Sequence, residues 1–405
     1  MESPNEHHFK AGMWLGQKEH QYRPVLLLIF RKVWPMRHLN LIGSCSELIL
    51  CLFAVQALAQ TTDTTAKREE NVTFQNGTVT LAGTLALPPG NGPYPAVVLL
   101  SGDGQQDRDW TFGKLKMAKC ISDRLVARGI AVLRFDDRGE GGSGGKSELE
   151  ASFQDRCGDA KAGMQLLRRR SGIGKVGLCG HSGGATIAGM TAAQDSSGVD
   201  FLIIVSGPFV TGEEVLLDQA RTMPRIYRAG PNQSDADATQ AGERIIRQAA
   251  EYVRTGEGLD SIKTAWNNIL IEQFRAMPKE QMEGFVKRFG SEEKLREIVL
   301  GDRLDEYVTP LQRDFIVHDP ADDIRKVVCP LLVLFGGKDE HVRIGMHRPP
   351  LLRALAEGKC ADVTVRVVPE ANHAYTTGPL YEKGEMLPGF VEAMAAWVLE
   401  RCGSG

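Results

Sequence analysis

Val176-Gly177-Leu178-Cys179-Gly180-His181-Ser182-Gly183-Gly184-Ala185-Thr186-Ile187-Ala188 is the stretch whose reading decides the fold. Val176–Cys179 is mostly apolar and suits a buried strand. Gly180–Gly184 fits G-x-S-x-G, a sharp strand-to-helix turn that lifts a serine hydroxyl above the edge of a sheet. Glycines are needed there because the chain reverses so tightly that a β-carbon would strike the neighbouring backbone. Ala185–Ala193 follows as a helix of small residues able to pack closely on that sheet.

On either side of this unit the same alternation continues. Val72–Phe74 and Thr78–Leu87 flank Gln75-Asn76-Gly77 and read as a hairpin. Apolar runs at Pro95–Leu100, Ile130–Phe135, Lys175–Cys179, Phe201–Val205, Leu331–Phe335 and Val363–Val368 read as further strands. Helical periodicity occupies Leu115–Arg128, Phe153–Arg169, Pro350–Ala356 and Gly389–Arg401. Strand and helix in alternation predict an α/β fold, a mostly parallel sheet with helices on both faces. Gly207 to Asp319 breaks the rhythm, being polar and helical, as in Ala241–Val253 and Gln281–Phe289. It reads as a helical cap inserted over the carboxyl ends of the strands, where open α/β sheets bind ligands. The expected division is a leader at 1–59, a core at 60–207 and 320–405, and the cap at 208–319.

A serine hydroxyl is a poor nucleophile unless a base takes its proton, and the base needs an acid to orient it. In strand–turn–helix sites of this type the chain order is Ser, acid, His. Of the nine histidines, His373 lies in Pro369-Glu370-Ala371-Asn372-His373-Ala374, directly after the last strand, where a loop can reach back to Ser182. His341 and His347 follow too soon after the acid, His318 suits the cap boundary, and His181 reads as structural. Gly336-Gly337-Lys338-Asp339 ends the preceding strand and nominates Asp339, with Glu340 its nearest rival. An oxyanion requires two N–H donors. Gly183 supplies one, and the loop Ser101-Gly102-Asp103-Gly104 the other, by position Asp103 with Gly104 as the alternative.

Composition narrows the function classes. Apolar residues make up 42% and charged residues 24% of 405, the balance of a globular protein. The net charge of −3 offers no basic field for nucleic acid. Arg168-Arg169-Arg170 ends a predicted helix, where cations suit the macrodipole. Gly180–Gly184 is not a dinucleotide fingerprint, and Gly139–Gly145 lacks the Lys-Ser/Thr ending of a phosphate loop.

Eight cysteines include Cys45 and Cys51 in the leader. The other six form no CxxC pair and no zinc-like cluster. Cys179 and Cys329 read as buried thiols, and one or two disulfides suit an oxidising compartment. Arg37 and His38 precede an apolar segment from Leu39 that ends in Ala57-Leu58-Ala59, the layout of a cleavable secretory signal. Cleavage after Ala59 leaves Gln60 first, and translation starting at Met36 is an open alternative. Glu47 breaks the segment below what a spanning helix needs. The expected location is secreted or periplasmic, with no membrane span after cleavage.

Leu81-Ala82-Gly83-Thr84-Leu85, Ser101-Gly102-Asp103-Gly104, Asp107-Arg108-Asp109, Asp137-Arg138-Gly139, Gly180–Gly184, Asp339 and His373 together resemble the α/β-hydrolase superfamily, in particular bacterial serine esterases and serine-aminopeptidase-like hydrolases. The resemblance covers roughly residues 72–207 and 325–402. It implies hydrolysis of a small-molecule acyl substrate through an acyl-enzyme, with no metal or organic cofactor. Many members carry His-Gly where this chain has Ser101-Gly102. The Asp107-Arg108-Asp109 triplet reads as a charge pair shaping that loop. A peptidase, a thioesterase or acyltransferase, and a catalytically silent binding protein are the alternatives on the same scaffold.

Overall fold

The computed structural model describes residues 67–403 except 148–149, 195–197, 229–231, most of 277–308, 377–384 and 388. All of them belong to the compact unit spanning residues 62–405. The leader expected at 1–59 and most of the helix expected at 281–289 lie outside the described residues.

Arg68–Asn76 (β1) and Val79–Leu87 (β2) pair antiparallel with Asn76 opposite Val79, so Gly77 and Thr78 alone make the turn. Gly77 has φ +58°, the left-handed geometry that such a tight hairpin demands. β1 begins earlier than its apolar core suggests, because it alternates exposed and half-buried residues from Arg68 onward. Six more strands follow: Tyr94–Leu100 (β3), Ala131–Phe135 (β4), Ile173–His181 (β5), Leu202–Val205 (β6), Leu331–Gly336 (β7) and Val363–Val368 (β8). Their order across the eight-stranded sheet is β1-β2-β4-β3-β5-β6-β7-β8. β2 runs antiparallel to β4, and every neighbouring pair from β4 to β8 is parallel.

The period of two along each strand builds two cores. Val98, Leu133, Leu178, Ile204 and Val333 face one side, under helices Phe153–Arg168 (α2) and Gly183–Gln194 (α3). Val97, Val132, Cys179, Ile203 and Leu332 face the other, under Met117–Ala127 (α1) and Phe390–Cys402 (α10). Truncating one fully buried member such as Leu178 or Leu332 to alanine costs about 2–5 kcal/mol, because the cavity left behind collapses only in part. α2 is started by a capping box in which the Ser152 hydroxyl accepts from the Asp155 N–H and the Asp155 carboxylate accepts in return. Helix α1 begins two residues later than expected, because Leu115–Lys116 turns back on Thr111–Phe112 in a small hairpin.

Between β6 and β7 the described residues contain no strand. They form Gly212–Thr222 (α4), a short 3₁₀ turn at Pro224–Tyr227, Asp235–Thr255 (α5), Leu259–Arg275 (α6), Pro310–Val317 (α7) and Pro320–Ile324 (α8). Ala238, Ala241, Ile245, Ala249 and Gly242 recur along one side of α5. There they meet Leu217, Tyr227, Trp266 and Ile269 in a third, separate core. The insertion therefore buries its own apolar face. Ile344–Glu357 (α9) starts ahead of the expected Pro350 and carries Pro349 and Pro350 inside it, not at its first turn.

Candidate active site

Strand β5 ends at His181 and helix α3 begins at Gly183. Ser182, between them, has φ +55°, a conformation that costs a non-glycine residue energy and persists only where the surroundings enforce it. They do so here. A β-carbon on Gly180 would run into the Gly184 carbonyl oxygen, and one on Gly184 into the carbonyl oxygens of Leu100 and Ser101. The Ser182 N–H donates to the Val205 oxygen at 3.0 Å, pinning the turn to β6. A left-handed serine between a central parallel strand and its helix, in a sheet of this order, is the nucleophile elbow. The chain has the α/β-hydrolase fold.

Loops from two further strands of that hydrolase sheet converge on Ser182. After β8, Asn372 ties its own loop, its side-chain oxygen accepting from the N–H groups of Ala374 and Thr376 at 3.0 Å each. This loop presents His373, whose Nε2 lies 3.0 Å from Ser182 Oγ. After β7, Asp339 turns back towards the same ring, with Oδ2 at 2.9 Å and Oδ1 at 3.1 Å from His373 Nδ1. Asp339 Oδ1 also accepts from the N–H groups of His341 and Val342, at 2.9 Å each. Glu340, its rival in the sequence, is exposed. Burial works to raise the Asp339 carboxyl, but the His373 charge, the His373 hydrogen bond and the Val342 N–H overcome it and hold it at about 2. Asp339 is thus a carboxylate that fixes Nδ1 as the protonated nitrogen and leaves Nε2 free to accept.

Two other imidazoles flank His373. His181 and His373 have ring centroids 4.8 Å apart at 48°, and His181 Nε2 lies 2.8 Å from the His373 carbonyl oxygen. Burial, aided by the His373 charge, pushes His181 down to about 3, so it is neutral and Nε2 carries the donated proton. His341 also stacks on His373, with centroids 4.8 Å apart at 30°. Burial first and His373 second lower His341 to about 4. Neither contact is legible in the sequence, since each depends on how separate loops meet. His347 and His318 lie elsewhere: His347 Nδ1 accepts from the Phe209 N–H, and His318 Nε2 meets Asp323 Oδ2 at 2.7 Å.

The loop after β3 closes the site from the other direction. A β-carbon on Gly102 would stand 3.1 Å from Ser182 Cβ, so glycine lets this backbone approach the nucleophile without crowding it. Asp103 and Gly183 are brought together, the Asp103 carboxyl filling the space where a Gly183 side chain would be. Asp103 is exposed within the cleft, yet desolvation there raises its carboxyl, with Arg156 and His373 pulling the other way.

Behind the loop, Ser101 Oγ donates to Asp137 Oδ1 at 2.6 Å, and the Gln106 N–H donates to Asp137 Oδ2 at 2.9 Å. Arg156 Nη2 donates to the Ser101 carbonyl oxygen at 2.9 Å. Burial outweighs the Arg156 charge and these bonds, and raises Asp137 to about 6. A cavity of mixed lining, with Ser101, Asp137, Arg138, Arg156 and Asp159 beside apolar residues such as Phe135 and Ile187, lies next to this network.

The charges of Asp107-Arg108-Asp109 pair outward and not with one another. Arg108 grips Asp136 through Nε at 3.0 Å and Nη2 at 2.6 Å, and Asp109 pairs with Arg134 and Lys116. Cys120, Cys157, Cys179, Cys329, Cys360 and Cys402 are free thiols, with Cys179 and Cys329 buried. Among the described residues no cluster of His, Cys, Asp and Glu could hold a metal, and no helix is long and apolar enough to cross a membrane.

Known proteins resemble the chain in the same sense. Residues 115–249 match the family of serine aminopeptidases S33. Esterase EstD of Thermotoga maritima is 25% identical over 327 residues, covering 79% of this chain and 66% of that protein. Among solved structures, an esterase of Pyrococcus furiosus is 18% identical, with a TM-score of 0.47, over 82% of this chain and 90% of its own. Proline iminopeptidase of Mycobacterium smegmatis is also 18% identical, with a TM-score of 0.47, over 82% and 98%.

Proposed function

We propose that the chain is a serine hydrolase that cleaves carboxylic esters of small-molecule acyl substrates through an acyl-enzyme. The observation that carries this reading is the left-handed Ser182, with its hydroxyl 3.0 Å from His373 Nε2 and the opposite ring nitrogen 2.9 Å from Asp339. Ser182 Oγ attacks the acyl carbon as its proton passes to His373 Nε2. The tetrahedral oxygen takes the negative charge, facing the N–H groups of Gly183 and Asp103. Collapse expels the alkoxide, which leaves as the alcohol with the proton from His373. Water then repeats the sequence, its proton going to His373 and its oxygen to the acyl carbon, and frees the acid and Ser182. Asp339 stays ionised throughout and steadies the imidazolium. The similarity to Esterase EstD favours an ester over an amide as the substrate.

The test is turnover of p-nitrophenyl esters from acetate to palmitate, and labelling by a fluorophosphonate, with the wild type and Ser182→Ala. The expected result is turnover and labelling by the wild type and a loss of about 10⁴-fold or more in the variant. A folded wild type that reacts with neither would sink the proposal. The helical segment at 208–319 is a cap whose lining sets acyl length, which the ester series reads out. Residues 1–59 are a leader removed on export to the periplasm or medium. Sequencing of the mature amino terminus, expected at Gln60, decides that point.

A further inference from the structure

The His373 ring is held in its own plane from two sides, and one of those supports has no role in the chemistry described above. His341 lies 4.8 Å from His373, centroid to centroid, with the two planes only 30° apart. Among the described residues no hydrogen bond reaches the His341 ring, so its contribution is contact of one face with another. Its backbone is immobilised from three directions. The His341 N–H donates to Asp339 Oδ1 at 2.9 Å, which ties the shelf to the carboxylate that orients His373. Gln219 on α4 donates to the His341 carbonyl oxygen at 3.3 Å. Two residues on, Arg343 Nε donates to Asp218 Oδ2 at 2.8 Å, again on α4.

We propose that His341 is a positioning residue for His373: its imidazole is a flat shelf that keeps the base's ring in the plane joining Ser182 Oγ to the Asp339 carboxylate. The proposal rests on the serine-hydrolase reading. A hydrogen bond at each ring nitrogen fixes two points of His373 but leaves the ring free to rock about the line between them. Such rocking leaves Nε2 in place but turns its in-plane lone pair away from the Ser182 hydroxyl, and loss of alignment at a reacting atom can cost about 10²-fold in rate. His181 limits this motion on one face, at a steeper angle of 48° and through a bond to the His373 carbonyl oxygen. His341 lies closer to parallel with the ring, at 30°, and so offers it the flatter contact. Stacked aromatic planes attract one another, which biases such a motion. Because the effect needs a planar ring and no ionisable nitrogen, phenylalanine should replace histidine here, and alanine should not.

The experiment compares wild type, His341→Ala and His341→Phe on p-nitrophenyl butyrate, with active sites counted by a fluorophosphonate so that kcat is expressed per competent site. For His341→Ala the expected result is a fall in kcat of about 10- to 100-fold with KM changed by less than about threefold. For His341→Phe the expected kcat is within about threefold of wild type. A residue that only helped the chain to fold would lower the number of labelled sites and leave kcat per site alone. The proposal is overturned if His341→Ala keeps its kcat per site, or if His341→Phe is as slow as the alanine variant. Should the alanine variant not fold, His341→Leu fills the volume without a plane and carries the same expected loss. A wild type that turns over the ester and takes up the probe confines any failure to His341. A wild type that does neither removes the nucleophile, and this proposal with it.

Discussion

Asp103 poses the sharpest question at the scale of single residues. Its carboxyl lies against Gly183, beside the oxygen that becomes negative in the proposed reaction. An ionised side chain there opposes that charge, while a backbone N–H in the same residue stabilises it. Any side chain leaves the N–H in place, so Asp103→Asn keeps the donor and the shape and removes the charge. Its kcat/KM for a neutral ester is expected to stay level or rise by up to about tenfold, with the gain growing as the pH rises, because burial makes the wild-type carboxyl ionise later than an ordinary one. A loss of 100-fold or more would mean that the carboxyl itself takes part. The loop from Ser101 to Gly104 was legible because it follows an apolar strand, and its N–H was assigned by position. The side chain's location was not, because it depends on how the β3 loop lies over α3. The same division runs through the site. Ser182, Asp339 and His373 are readable because each is pinned to the end of a strand, whereas the His341 shelf and the Arg156–Ser101–Asp137 network arise from contacts between distant segments.

At the scale of elements, the parallel strands β3 to β7 are legible as short apolar runs because both their faces are largely covered, while β8, at the sheet edge and partly exposed, is legible from its run of valines alone. Helix α9 was harder, because Pro349 and Pro350 suggest a first turn and in fact lie inside the helix. The insertion was recognisable by its loss of strand pattern, but its attachment to the rest of the fold was not. That attachment includes helix α4, where a capping box of Thr211 and Glu214 starts the helix and the Asp218 carboxylate receives Arg343 from the loop after β7. Arg343 is nearly half exposed, so solvent screens the pair and its net worth is about 1 kcal/mol or less. Its effect is therefore local. Arg343→Ala is expected to leave the melting temperature within a few degrees of wild type while amide exchange along residues 212–222 quickens. Strand β5 serves as the internal control, and its exchange should be unchanged. If exchange in 212–222 stays the same, the ion pair does not anchor the helix and Gln219 alone links it to the His341 loop.

The whole molecule carries the consequence of burying so many imidazoles. His181 is held at about 3, and His341 and His347 at about 4, in each case chiefly by burial. In the unfolded chain all three titrate near the ordinary histidine value of about 6.5. Below that pH the unfolded state binds protons that the folded state refuses. Their contribution to stability is therefore complete above about 6.5 and is lost as the pH falls towards 4. Asp137 acts in the opposite sense. Its folded carboxyl, raised to about 6, holds a proton that an unfolded carboxyl releases near 3.9, so its contribution is present at low pH and is lost as the pH rises through 6. Around pH 5 the three imidazoles favour the unfolded state, while Asp137, and with it Asp103 and Asp159, whose carboxyls burial also raises, favour the folded state. Each unbalanced proton is worth about 1.4 kcal/mol per pH unit, so the slope of stability with pH reports the balance between the two sets. Asp339 adds a further loss only below about 4, as the pH approaches its folded value of about 2. Urea unfolding at pH 7, 6, 5 and 4.5 measures this slope, to which the histidines contribute a fall in the free energy of unfolding as the pH drops. His347→Phe, remote from Ser182, should make that fall shallower by about one proton. If His347→Phe leaves the slope unchanged, the His347 imidazole is hydrated and titrates normally in the folded protein, and its place as a buried neutral ring would have to be abandoned.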